Sequence, residues 1–200
     1  MSEAWAARNL GDPARARQAC EEAGRIFGDV GDRSGAAAAL TALAGVRYDQ
    51  GDLEGARADN ERALATFREV GDQSGVARAL NNIAVIGRAS GDRATARRLY
   101  EEVVAISLET GDRAGTAYAS HNLGTLLSEE GDLAGARQRL EQALAARREI
   151  GDQAGTGASL ASLGAVLRRE GQLAEAQRRL EESLALQREI GQKIGQVGSL

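Results

Sequence analysis

A Gly-Asp pair returns every twenty residues along nearly the whole chain: Gly11-Asp12, Gly31-Asp32, Gly51-Asp52, Gly71-Asp72, Gly91-Asp92, Gly111-Asp112, Gly131-Asp132 and Gly151-Asp152. The beat continues with glutamine in place of aspartate at Gly171-Gln172 and Gly191-Gln192. Self-similarity at a fixed period marks an array of like units, and it outranks any residue-by-residue reading. The pair has a mechanical meaning. Glycine enters the left-handed conformation that ends a helix without steric cost, and an Asp side chain accepts hydrogen bonds from the orphan N–H groups that begin the next. Pro13, the only proline, follows Asp12 at the first helical position, where its missing N–H is harmless. Each stretch between pairs holds about eighteen residues, a helix roughly 27 Å long. Connections this short fold neighbouring helices into antiparallel hairpins. The fold class is all-α.

The helix period is twenty, but the repeat is forty, because alternate segments differ. One kind, the A helices, carries Leu40, Leu43 and Ala44; Leu80, Ile83 and Ala84; Ser120, Leu123 and Gly124; Leu160, Leu163 and Gly164. The other kind, the B helices, carries Ala56, Glu61, Ala63 and Leu64, then Ala136, Glu141, Ala143 and Leu144, then Ala176, Glu181, Ser183 and Leu184. Three- and four-residue steps place the apolar members of each set on one helix face. The small residues at 44, 84, 124 and 164 let partner helices approach closely.

The run Leu80-Asn81-Asn82-Ile83-Ala84, followed by Gly91-Asp92, Ala96, Tyr100 and Val103, resembles the tetratricopeptide repeat family in its spacing. So does the later run Asn122-Leu123-Gly124, Gly131-Asp132, Ala136, Leu140 and Ala143. The resemblance extends over nearly the whole chain and implies a right-handed α-solenoid of antiparallel helix hairpins. One departure is systematic. The family's repeat is usually shorter and often has a proline near its end, whereas this chain has Arg68, Leu108, Arg148 and Arg188 there. The longer form resembles variants in spindle-orienting adaptors, kinesin light chains and bacterial regulators.

The organisation expected is a single array over 1–200 of about five forty-residue repeats. It comprises a partial helix at 4–10, a B helix at 12–28, repeats at 32–70, 72–110, 112–150 and 152–190, and a partial helix at 192–200. Neither end supplies the polar capping helix that solenoids need, so the chain reads as a fragment of a longer array. A second reading joins the uncapped ends head to tail, through Leu200 and Trp5, into homo-oligomers. Glu3 stands where a core leucine is expected, which speaks against that reading.

The resemblance also implies where a partner binds. In that family the A helices line a concave surface that holds a peptide or a helix of a partner protein. The matching positions here are Arg78, Asn81, Asn82, Tyr118, His121, Asn122 and Thr125. Carboxamides both donate and accept, as a peptide backbone requires. Arg78, with Arg88 and Arg168, suits a carboxylate, and Tyr118, with Tyr48, offers flat contact area. The small residues Ala38, Thr41, Ala42 and Gly45 read as quiet, so binding is expected to centre on residues 78–125. The family's carboxylate clamp requires a lysine, and the first lysine is Lys193.

Other functions find little support. The net charge of −4 and pI near 5.2 give no basic footprint for nucleic acid. No apolar run is long enough to cross a membrane and no signal peptide is visible, which leaves a cytoplasmic protein as the expectation. The arginine bias reads as the codon usage of a GC-rich bacterial genome. His121 is the only histidine, without a second for relay or metal, and no catalytic residue, metal site or cofactor is expected. Cys20 shares a B-helix row with Asn60, Tyr100, Leu140 and Leu180 and reads as a buried, inert thiol. Asn60 in that row either bonds to a neighbouring helix or reaches solvent at the hairpin edge. Glycine also recurs in the first turn of the A helices, at Gly35, Gly75, Gly115, Gly155 and Gly195. Glycine there costs about 1 kcal/mol against alanine, so close approach to the preceding B helix is expected, and Gly115→Leu should destabilise the array.

Overall fold

The computed structural model describes residues 12–197, with side chains described through Gly191. Trp5, Glu3, Leu200 and the partial helix at 4–10 lie outside what is described, while Gly195 falls inside the last helix rather than at the start of a new one. The described residues form helices and no strand. In order they are α1 (Pro13–Asp29), α2 (Arg33–Asp49), α3 (Leu53–Val70), α4 (Gln73–Ala89), α5 (Arg93–Glu109), α6 (Arg113–Glu130), α7 (Leu133–Glu149), α8 (Gln153–Arg169) and α9 (Leu173–Val197). The even-numbered helices are the A helices.

The connection at Gly71-Asp72 shows how the pair works. Gly71 takes φ +74°, the left-handed region that a Cβ disfavours, and its N–H donates to the Arg68 carbonyl at 3.3 Å. The Asp72 N–H reaches the Phe67 carbonyl at 2.9 Å, closing α3. One carboxylate oxygen of Asp72 then accepts from the Gly75 N–H at 2.8 Å, opening α4. Positive φ recurs at Gly31, Gly51, Gly91, Gly111, Gly131, Gly151 and Gly171.

The break expected at Gly191-Gln192 does not form, and α9 runs through it to Val197. Glutamine is a weak cap, yet Gly171-Gln172 breaks. There the turn is enforced by packing, because the Ala176 carbonyl lies against Gly164, 3.2 Å from where its Cβ would be. At Gly191-Gln192 no Asp cap is present, and helix propagation wins.

The chain divides into two compact units, Met1–Ile106 and Ser107–Leu200, with the division falling inside α5. In the first unit α1 packs on α2, α2 on α3 and α3 on α4, and α2 also touches α4. In the second, α6 packs on α7, α7 on α8 and α8 on α9, and α6 also touches α8. Within each unit, therefore, A helices stand side by side. Alanines at the crossings are fully covered, among them Ala44, Ala56, Ala84, Ala119 and Ala136. Cys20 is buried with Ala16 and Val46. Close approach also explains the first-turn glycines: a Cβ would fall 2.5 Å from the Phe27 ring at Gly35 and 2.4 Å from Ser107 Oγ at Gly115. The same capping position is glycine in two B helices, at Gly55 and Gly135.

Candidate functional site

In the first unit a hollow of about 480 Å³ opens between α2 and α4, over α3. Its floor is built from small residues, with Ala38, Thr41, Ala42 and Gly45 on α2. Val85 and Ile86 on α4 add an apolar wall, and Tyr48 stands at one edge. The residues that read as quiet are those that make room. Thr41 is buried and its hydroxyl donates to the Ala37 carbonyl at 3.0 Å, so it adds no free polarity to the floor.

Two A-helix residues bring polarity to this hollow. Arg78 is the only charged residue lining it. Its guanidinium carbon lies 5.3 Å from the Phe67 ring centroid, a cation–π contact that leaves its N–H donors unspent. Asn82 donates through Nδ2 to Asn60 Oδ1 at 3.3 Å. Asn60 is 1% exposed and donates in turn to the Ala56 carbonyl at 2.9 Å. Of the two readings of Asn60, the inter-helix hydrogen bond is the one the structure contains. Asn81 is half-buried on the same helix.

The remaining expected residues belong to the second unit. Tyr118 is 56% exposed, and the guanidinium carbon of Arg147 sits 5.5 Å from its ring centroid. Arg147 itself is buried, donating to the Gly155 carbonyl and, at 3.1 Å, to Ser159 Oγ. Burial pulls its guanidinium below the ordinary arginine value, with Asp152 and Tyr118 acting in the opposite direction. His121 Nδ1 lies 3.2 Å from the same Ser159 Oγ. Asn122 is half-buried beside it. Thr125 spends its hydroxyl on the His121 carbonyl at 3.0 Å, so its donor stays with its own helix. Sequence reading missed Arg147, which orders both Tyr118 and Ser159. The signal was a charged residue at the place occupied by Phe27 and Phe67 in earlier repeats.

Among the described residues no group of three His, Cys, Asp or Glu is arranged to hold a metal ion. No described helix is long and apolar enough to cross a membrane.

The family model for the tetratricopeptide repeat matches residues 35–109, 75–149 and 115–189. Among solved structures, BtubC (BKLC) from P. vanneervenii is 23% identical, with a TM-score of 0.79 over 94% of this chain and 78% of that one. A putative kinesin light chain of Podosopora anserina with nearly identical TPR-like repeats is 22% identical, with a TM-score of 0.68 over 94% and 92%. The Rap conjugation gene regulator of plasmid pLS20, solved in complex with the Phr* peptide, is 14% identical, with a TM-score of 0.80 over 94% of this chain and 52% of that one. At these identities the likeness is one of fold. No curated protein matches the chain.

Proposed function

The chain belongs to the tetratricopeptide repeat family, and on that premise we propose that it is a protein–protein interaction scaffold. Its A-helix face holds an extended peptide or a helix of a partner protein, and it works in the cytoplasm as part of a larger bacterial regulator. The observation that carries this reading is the hollow between α2 and α4. It is open, mainly apolar, and lined by one cation and a carboxamide whose carbonyl oxygen has no protein partner. An apolar floor with a few placed polar groups suits a side chain and its flanking peptide units. Tyr118, His121 and Asn122 offer comparable chemistry in the second unit, while Thr125 offers less. The pLS20 Rap regulator, similar in fold, was solved with a peptide bound.

The test is affinity capture from a lysate of the source organism. The wild-type chain is compared with an Arg78→Ala/Asn82→Ala variant of matched thermal stability. A protein held by the wild type and released by the variant supports the reading. Equal capture by both places binding elsewhere.

A further inference from the structure

The Asn82 carboxamide is not free to present either end to a ligand. The Ala56 carbonyl can only accept, so Asn60 must turn Nδ2 toward it, at 2.9 Å. That leaves Asn60 Oδ1, also an acceptor only, and Asn82 must answer it with Nδ2, at 3.3 Å. The end of Asn82 remote from Asn60 is then Oδ1, which has no protein partner, on a side chain that lines the hollow. A main-chain carbonyl of α3 thus dictates, through two side chains, the polarity shown by α4. At 1% exposure Asn60 is shielded from water that would compete for its bonds. The corresponding B-helix residues are Cys20, Tyr100, Leu140 and Leu180, so no other of these positions carries a carboxamide.

We propose that Asn60 is a positioning residue: it fixes Asn82 so that the hollow between α2 and α4 offers a carbonyl acceptor, which a bound peptide meets with a backbone N–H. This rests on the peptide-binding reading given above. Arg78, one turn earlier on α4, supplies donors only. The hollow therefore asks for an N–H at Asn82 and for a carbonyl or carboxylate at Arg78.

The experiment has two arms, using wild type, Asn82→Ala, Asn60→Leu and Asn60→Ala. Leucine is the residue the chain itself buries at 140 in the same row, and alanine serves if leucine fails to pack. In the first arm, NMR follows exchange of the Asn82 side-chain amide protons in the free protein. Exchange at least roughly tenfold slower in wild type than in the Asn60 variants is expected. Equal rates overturn the proposal. In the second arm, a synthetic random nonapeptide library is selected against wild type, and each backbone N–H of the best binder is replaced in turn by an ester oxygen. One ester should weaken wild-type binding about tenfold and change binding to Asn82→Ala or the Asn60 variants less than twofold. An ester equally harmful to wild type and the Asn60 variants overturns the proposal. If the library yields no binder, the peptide-binding reading falls and this inference with it, even where the exchange arm shows Asn82 to be fixed. Loss of folding in both Asn60 variants would make Asn60 a core residue and also overturn it.

Discussion

The ring of Phe67 stands where Gly75 lacks a side chain: a Cβ at 75 would lie 2.2 Å from Phe67 Cδ1. Phe67 is fully buried and cannot swing aside. Gly75→Ala should therefore lower stability by about 2 kcal/mol, the overpacking cost exceeding the gain in helix propensity. Gly135 occupies the same capping position, but the atoms nearest to a Cβ there belong to the Asp132 side chain. The chain shows that a capping Asp tolerates a side chain at this position, since Thr95 N–H still reaches Asp92 at 3.2 Å. Gly135→Ala should stabilise by up to about 1 kcal/mol. Urea unfolding of the two variants should give shifts of opposite sign.

Asp72 carries a second duty besides its cap, accepting the Ser34 hydroxyl from α2 at 2.5 Å. That bond, followed by the Gly75 N–H, holds its carboxyl below the ordinary aspartate value, against a smaller opposing effect of burial. A carboxyl depressed on folding stabilises the protein above its unfolded pKa of about 3.9 and loses that contribution as pH falls through the folded value. Asp72→Ala should cost about 1 kcal/mol at neutral pH. Stability measured from pH 6 to pH 2 should fall less steeply in the variant than in wild type.

Arg147 fills a place that Phe27 and Phe67 fill in earlier repeats, above Gly155 rather than Gly35 or Gly75. Its partner Ser159 stands where the earlier repeats have Ala39, Ala79 and Ala119. Arg147→Ala should destabilise by about 3 kcal/mol, leaving a cavity and removing the bonds to Gly155 and Ser159. Arg147→Lys should rescue little, because a lysine cannot serve the Gly155 carbonyl and Ser159 while stacking on Tyr118. Arg147→Phe/Ser159→Ala should match wild type to within about 1 kcal/mol, since an apolar pair can replace a buried ion of similar volume. Thermal unfolding of the three variants gives the ranking.

Gly124 faces main chain, which cannot move aside as a side chain can. A Cβ there would lie 3.1 Å from the Ala136 carbonyl oxygen and 2.8 Å from Leu140 Cγ. Gly124→Ala should lower stability by about 1–2 kcal/mol, even though Ala44 and Ala84 occupy the same place in the first unit. Circular dichroism melting curves would show it.

Most helix boundaries were legible because glycine and aspartate act locally: each turn is closed by residues close to it in the chain. The boundary that failed, at Gly191-Gln192, lacks the Asp cap that closes the Gly-Asp turns. The burial of Ala44, Ala84 and Cys20 followed from periodicity. The hollow did not, because it arises from the register of three helices and from small side chains whose effect is the space they leave. Nor could sequence tell that Thr125 would spend its hydroxyl on its own helix while Asn82 would leave an oxygen free. That depends on rotamers and on which residue stands opposite.

The turn at Gly71-Asp72 is held by bonds among residues 67 to 75, and every other Gly-Asp junction uses the same two residue types. The junctions are therefore interchangeable. Excising residues 72–111 would join Gly71 to Asp112 and recreate a Gly-Asp seam, with Phe67 brought over Gly115 in place of Gly75. Such a chain can lengthen or shorten by whole forty-residue cassettes without inventing a new connection, and duplication becomes an easy route to a surface of any required reach.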